Sequence, residues 1–130
     1  MLNKFIRCKT LICKNKNYFH HHYRDLKQNN ILFISGQVAI DPINGNMKNG
    51  NIKEETTQVM NNLRAILNEV DFDFNNVIKS TIYLSSMENF TIVNEVYGSF
   101  FKKNYVPARV TVEVSRLPKN ANVEIDMIAS

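Results

Sequence analysis

The sequence predicts an α+β fold in which two helices pack on one face of a mixed β-sheet. Two segments have apolar residues at helical spacing, and several shorter segments alternate apolar and polar residues, as half-buried strands do. Their order along the 130 residues is β(ββ)αβαββ. A chain of this length can hold one domain with a single core, which we place at residues 29–130.

Residues 1–28 differ from the rest of the chain in charge. Seven of the 16 Lys and Arg residues, but one of the 12 acids, precede residue 30, so this part carries a charge of +6 and the remainder −2. The segment is either a basic leader that resembles an organelle transit peptide or an N-terminal strand, FIRCKTLIC. We favour the strand, because removal of a leader would leave a short domain. The protein is expected in the cytoplasm, or in a mitochondrion or plastid if the leader directs it there.

The strands and helices of residues 29–130 begin with ILFISGQVAI, which is apolar on both sides. This stretch is predicted as strand, a bend or β-bulge at Gly36, and strand again, before a turn at DPINGN. The segment IKEETTQVMNNLRAILNEV follows as an amphipathic helix. Its predicted buried residues are Val59, Leu63, Ile66, Leu67 and Val70.

The second half of the chain repeats this alternation of strand and helix. VIKSTIYL is predicted as a strand with Ile78, Ser80, Ile82 and Leu84 on one face. MENFTIVNEVYGSFFKK is a helix that opens at Ser85, whose spacing to Glu88 fits a capping box. The last two strands are YVPARVTVEV, with its valines buried, and VEIDMIA, with Val123, Ile125 and Met127 buried.

The two helices can cover only one face of such a sheet. The ILFI run is apolar on both sides, so the second face also needs apolar cover. Another copy of the same chain would supply it, and the pattern therefore predicts a homo-oligomer.

Several functional classes are excluded by what the sequence lacks. No apolar run approaches the roughly 20 residues that span a bilayer, so we expect no membrane insertion. Nucleic acid is not expected as a partner, because residues 30–130 carry no basic stripe interleaved with aromatic residues. The chain shows no Ser-His-Asp set, phosphate-binding loop or metal-ligand cluster, and we expect no metal and no cofactor. Cys8 and Cys13 indicate free thiols in a reducing compartment.

A few polar residues interrupt the apolar strands and are the candidates for a site. Arg109 can bind a carboxylate through two parallel hydrogen bonds. Glu124 leaves the buried face of the last strand, where partial desolvation would suit an acid or base. Ser35 and the Gly36 amide can hold a small polar ligand, with glycine allowing close approach.

Other interpretations of the same residues stay open. Arg109 and Glu124 can simply pair with each other or with water, and Gly36 can mark only a β-bulge. If the last two strands formed a hairpin, Arg109 would lie about 13 Å from Glu124, too far for one site without a second subunit.

Five segments together resemble the RidA/YjgF family of enamine/imine deaminases, also known as the L-PSP endoribonuclease-like family. They are ISGQVAIDPINGNM, QVMNNLRAILNEV, VIKSTIYLSSMENFTIVNEVYGSFF, PARVTVEVSRLP and VEIDMIA, in the family's order from about residue 29 onward. The resemblance implies a chorismate-mutase-like fold and a homotrimer with three sites in clefts between subunits. It also implies cofactor-free hydrolysis of reactive enamines and imines, such as 2-aminoacrylate, to 2-keto acids and ammonia.

The resemblance also assigns roles to individual residues. Arg109 matches the arginine that binds the substrate carboxylate, and Glu124 matches the glutamate that positions or activates water. Ser35 and Gly36 match ligand contacts, and Asn94 matches an asparagine near the site.

Two positions depart from the family pattern. Thr111 stands where many members have cysteine, so covalent thiol catalysis is not expected here. The family's GPYSQA-like stretch corresponds to HHHYRDLKQ, and its pocket tyrosine is replaced by Tyr23 after a one-residue shift or is missing. Two alternatives therefore remain: a ribonuclease or translation inhibitor of the same family, and a non-catalytic ligand-binding or chaperone-like trimer.

Overall fold

The computed structural model describes residues 4–6, 25–28 and 30–130. These residues contain six strands, β1 to β6, at Lys4–Ile6, Asp25–Gln28, Ile31–Gln37, Val77–Leu84, Ala108–Glu113 and Val123–Ala129. They also contain helices α1, Ile52–Asn68, and α2, Phe90–Ser99, and single 3₁₀ turns at Phe74–Asn76, Met87–Asn89 and Pro118–Asn120. The strands form one sheet in the order β1-β2-β3-β6-β4-β5.

The sheet is mixed, and the predicted α+β fold is confirmed. Strands β4 and β5, which α2 connects, pair in parallel, whereas each other neighbouring pair is antiparallel. Strand β6 lies between β3 and β4, so the last two strands are not hairpin neighbours. The hairpin from which the separation of about 13 Å between Arg109 and Glu124 was derived is therefore not formed.

The segment at residues 31–40 differs from the prediction. One strand runs from Ile31 to Gln37, with a register shift against β6 between Ile34 and Gln37, so the bulge at Gly36 is confirmed. The predicted second strand is absent, because the chain turns away after the bulge. Ile40 makes only an isolated bridge to Met47 across the turn.

Strand β2 was not predicted. Because it is present and one predicted strand is absent, the number of strands in the described residues is still six, as predicted. Its sequence, DLKQ, has no apolar alternation, and backbone pairing with β1 and β3 on its two sides makes it a strand. Strand β1 includes two residues of the predicted N-terminal strand FIRCKTLIC. The rest of that segment, with Cys8 and Cys13, lies outside the described residues, and the division of the chain at residue 28 stays a prediction.

Helix α1 begins where its sequence indicates. The Asn51 side chain accepts a hydrogen bond from the Glu54 backbone N–H at 2.9 Å, which satisfies one of the free donors at the helix start. Its predicted inward face is confirmed, except that Val70 is only partly buried beyond the helix end.

The start of α2 corrects the predicted capping box. The cap of the preceding 3₁₀ turn is Ser86, whose Oγ accepts from the Glu88 N–H at 3.2 Å. Ser85 instead donates its hydroxyl to the Asn122 Oδ1 at 3.1 Å, which ties the end of β4 to the loop before β6.

Both helices pack on the same face of the sheet, as predicted. The core contains Leu32 and Ile34 of β3, Ile82 and Leu84 of β4, and Val123, Ile125 and Met127 of β6, packed against α1 and α2. Ile78 was predicted to join this face and does not. A register shift between Val77 and Lys79 turns Val77 into the core and leaves Ile78 46% exposed.

The second face of the sheet, which we call the open face, carries exposed apolar side chains. Phe33 is 43% exposed, Val110 42% and Val112 38%. The expected burial of Val110 and Val112 is wrong for the single chain, because the other side of β5 is the one that faces α2. Val114, beyond the end of β5, is partly buried against a small cluster around Leu117.

Candidate functional site

Arg109 lies at the start of edge strand β5 and points to the helix side of the sheet. Its Nη1 donates to the Asn94 Oδ1 of α2 at 2.6 Å. Its Cζ lies 5.2 Å from the centre of the Tyr97 ring, a cation–π distance. Two contacts from one helix therefore fix the orientation of the guanidinium.

Tyr97 is the buried support beneath this guanidinium. Its hydroxyl donates to the Ser80 Oγ of β4 at 2.9 Å, and Ser80 pairs with Arg109 in the parallel register. Burial raises the pKa of Tyr97, although the Ser80 hydrogen bond and the Arg109 charge oppose the shift. The phenol thus stays neutral and can donate to Ser80 while its ring faces the cation.

Arg109 and Asn94 line a cleft of about 460 Å³ between α2 and the segment that leads into β5. The cleft walls also include Tyr97, Phe101, Val106 and Pro107. Thr111 lies two residues further along β5 on the same face and is half-buried. The helix side thus combines a fixed cation with a partly apolar cavity.

Glu124 lies in a different place, on the open face at the bulge of β3. A Cβ atom added at Gly36 would overlap the Glu124 carboxylate, so the glycine is needed for close approach and not only for the bulge. Gln37 anchors the bulge by donating its Nε2 to the Ser35 carbonyl at 3.0 Å. Ser35, Gly36 and Glu124 therefore form one group.

Two further polar residues of the open face adjoin this group: Asp126, a polar residue that interrupts the apolar pattern of β6 as Glu124 does, and Tyr83, which the sequence reasoning missed as a site neighbour. Tyr83 pairs with Glu124 across β4 and β6, and its hydroxyl donates to the Asp126 Oδ2 at 3.0 Å. Burial raises the pKa of Tyr83, and the hydrogen bond and charge of Asp126 raise it further. The available signal was alternation: both residues face away from the core in strands already predicted.

The structure does not bring Arg109 and Glu124 together within one chain. Arg109 is level with Ser80 and Glu124 with Tyr83, on opposite faces of the sheet and with β4 between them. Two strand spacings and three residues along the strand place their Cα atoms roughly 14 Å apart. The alternative that they pair with each other is therefore wrong for a single chain.

Tyr23 lies outside the described residues, so its role stays a prediction. Across residues 30–130 and the two short described strands, no three His, Cys, Asp or Glu side chains are grouped to hold a metal ion. Neither α1 nor α2 has the length and apolar character of a membrane-spanning helix.

Comparison with known proteins shows which family this chain is similar to. The family model of endoribonuclease L-PSP matches residues 15–130. A RutC family protein of Pyrococcus horikoshii is 49% identical over 104 residues, covering 80% of this chain and 82% of its own length. Human 2-iminobutanoate/2-iminopropanoate deaminase is 40% identical over 98 residues, covering 75% and 71%.

A solved structure extends the likeness over nearly the whole chain. The Rid-family protein YyfA of Yersinia pestis, whose function is unknown, superposes with a TM-score of 0.87 at 34% identity, covering 98% of this chain and 99% of its own. The match thus reaches beyond the residues that the human enzyme shares. On both grounds, the chain belongs to the endoribonuclease L-PSP family, which includes the RidA/YjgF deaminases.

Proposed function

We propose that this protein hydrolyses reactive 2-imino acids, and the enamines in equilibrium with them, to 2-keto acids and ammonia. The observation that carries the proposal is the guanidinium of Arg109, held by Asn94 and the Tyr97 ring at the mouth of a cleft. A fixed guanidinium is suited to bind a small carboxylate. The human and mouse relatives named as 2-iminobutanoate/2-iminopropanoate deaminases support the same activity.

The complete site would form between copies of the chain. One chain presents Arg109, Asn94 and Thr111 on its helix side and Ser35, Gly36 and Glu124 on its open face. Because these two groups lie on opposite faces, they can meet only if the open face of one copy approaches the β5 edge of another. The exposed Val110 and Val112 give that contact an apolar driving force, and a homotrimer closes it by symmetry.

In this assembly the reaction would need no cofactor. Arg109 binds the substrate carboxylate and Asn94 keeps the guanidinium in place. Glu124 of the neighbouring copy takes a proton from water, whose oxygen attacks the carbon of the C=N bond. Glu124 passes this proton to the nitrogen, which gives a carbinolamine. The C–N bond then breaks while the hydroxyl proton is transferred through Glu124 to the nitrogen, so ammonia leaves, Glu124 is again a carboxylate and one water is consumed for each keto acid released. Ser35 and the Gly36 amide align the nitrogen end, and Tyr23 completes the pocket if it replaces the family tyrosine.

The energetic demand on these groups is modest. Imines hydrolyse in water without a catalyst, so the enzyme has to lower an already accessible barrier. Positioning of substrate and water, together with one acid–base group, supplies several powers of ten in other systems. A site without a metal or an activated nucleophile is therefore sufficient for this chemistry.

The test uses a matched pair of arginine variants. A threonine dehydratase supplies 2-iminobutanoate, and semicarbazone trapping measures how fast the imine disappears. We expect Arg109→Lys to lower kcat/KM by roughly 10- to 100-fold, because lysine loses the paired hydrogen bonds to the carboxylate. Arg64→Lys is the control, since Arg64 also stacks on an aromatic ring, Phe100 at 4.8 Å, but does not line the cleft. The activity of this variant should stay within about twofold of wild type.

Two results would count against the proposal. The first is no acceleration of imine loss by the wild-type protein. The second is equal loss of activity in the Arg109 and Arg64 variants, because the effect would then not depend on the cleft. Cleavage of RNA by the wild type would favour the ribonuclease alternative, which the −2 charge of residues 30–130 does not support.

A further inference from the structure

We propose that the Arg109 cleft selects substrates with a second negative charge, so that imino dicarboxylates are preferred to imino monocarboxylates. Lys102 and Lys103 would bind the second carboxylate, while Arg109 binds the first. This inference rests on the proposed function and names its substrate class.

Within one chain, the charges around the cleft are of one sign. Arg109, Lys102 and Lys103 all line it, and its other lining residues are uncharged. Residues 30–130 carry a net charge of −2 with nine basic residues, so three of those nine gather at one cavity in a mildly acidic part of the chain. Like charges held near one another repel, and an anion with two charged groups relieves that repulsion.

The two lysines have no other role in the described structure that explains their position. Both are exposed. Among the described residues, the ion pair that the structure records joins Lys48 to Asp41 at 3.2 Å and involves neither of them. The dipole of α2 favours cations within its last turn, but the helix ends at Ser99, three and four residues earlier.

Arg109 lines this cavity and keeps donors available for a ligand there. One of its terminal nitrogens, Nη1, is engaged with Asn94. For Nε and Nη2 the structure records no hydrogen bond to a described residue, which leaves two adjacent donors for a carboxylate. The remaining walls, Phe101, Val106 and Pro107, are apolar and suit the methylene carbons between two carboxylates.

The reaction itself does not change with the longer substrate. A 2-imino dicarboxylate and one water give a 2-keto dicarboxylate and ammonia, and the second carboxylate takes no part in bond making or breaking. The lysines therefore act on substrate binding. Their effect should appear as a difference between diacid and monoacid affinity.

The experiment measures binding of the keto-acid products by calorimetry, with 2-oxoglutarate as the diacid and 2-oxobutanoate as the monoacid. We expect wild type to bind the diacid at least about fivefold more tightly, a modest gain because exposed charge pairs are weak. In the Lys102→Met, Lys103→Met double variant this ratio should fall to about one. A control with the same change in charge, Lys53→Met with Arg116→Met, alters two residues outside the cleft and should keep the ratio.

The salt dependence of diacid binding gives a second measurement, which would not change if the two lysines had only a structural role. Raising the salt concentration from about 0.05 M to about 0.5 M should reduce the diacid preference of wild type and leave the double variant unaffected. Equal affinity of wild type for both acids would overturn the proposal. So would a ratio that falls as far in the control variant as in the lysine variant.

Failure of this inference can be told apart from failure of the proposed function. Calorimetry with products does not require turnover, whereas semicarbazone trapping does. A diacid preference that depends on the lysines, without turnover of either imine, would support the second-charge site and contradict the deaminase proposal. Turnover of the monoacid imine without any diacid preference would support the deaminase proposal and contradict the second-charge site.

Discussion

Gly36 shows how one absent side chain organises the Glu124 group. The close approach of β3 to β6 leaves no room for a Cβ beside the Glu124 carboxylate. The overlapping atoms belong to the end of a flexible side chain and not to the backbone. A methyl group at residue 36 can therefore be accommodated by moving the carboxylate.

We expect Gly36→Ala to separate activity from stability. The carboxylate of Glu124 would move away from its position, so imine hydrolysis should fall by at least about tenfold, whereas the unfolding free energy should change by less than about 1 kcal/mol. The trapping assay and urea unfolding measure the two quantities. Gly50→Ala is the control, because a Cβ at Gly50 meets only the Glu54 carboxylate at 3.4 Å, an ordinary contact, and should leave activity unchanged. Full activity in Gly36→Ala would contradict the role given to Glu124.

At the scale of single elements, the start of β6 is attached to α1 by a buried carboxylate. Glu55 is fully buried. Its Oε1 accepts from the Asn122 N–H at 2.6 Å and from the Val123 N–H at 3.4 Å, and its Oε2 accepts from the Asn122 side-chain amide at 2.9 Å. A buried charge held this way is costly to disturb, because its partners lose their acceptor as well.

Glu55→Gln should destabilise the fold by about 1 to 3 kcal/mol. The glutamine oxygen can still accept from the Asn122 backbone, but its amide nitrogen would face the Asn122 side-chain donor. Glu54→Gln is the matched control, since Glu54 is the exposed neighbour in the same helical turn and contributes about 0.3 to 1 kcal/mol through the helix dipole. Urea unfolding at fixed protein concentration measures both. Equal effects at the two positions would show that the hydrogen bonds of Glu55 contribute little.

At the scale of the whole molecule, the open face is the surface that a single chain leaves incomplete. Phe33, Val110 and Val112 expose apolar area on a sheet whose other face packs against the two helices at β3, β4 and β6. Strand β5 also lies at the edge of the sheet. An apolar edge of this kind is normally covered by another chain.

Val112→Glu should weaken the proposed homotrimer. A carboxylate at this position would have to be desolvated in the interface, so the mass measured by analytical ultracentrifugation should shift toward that of one chain. Activity should fall with it, because the two groups of the site would separate. Ile43→Glu is the control, since Ile43 is 78% exposed in the turn after β3 and is not part of β5. A wild type that is a monomer at assay concentration would contradict the assembly itself.

The sequence alone determined the helices, the α+β class and the side of β6 from which Glu124 projects. The helices and the direction of Glu124 follow from the periodicity of apolar residues within one segment, and the α+β class follows from the order of these segments. The sequence also indicated the bulge at Gly36 and identified Arg109 as a candidate to bind a carboxylate.

Only the tertiary structure decided which face of β5 meets the helices, where β2 lies, and that Arg109 and Glu124 lie on opposite faces of one chain. Alternation defines two faces of a strand but not which of them is covered, and the strand order that decides this comes from contacts between distant segments. The valines of β5 were therefore assigned to the wrong side, because this edge strand turns Arg109 and Thr111 toward α2 and leaves its apolar face for another surface to cover.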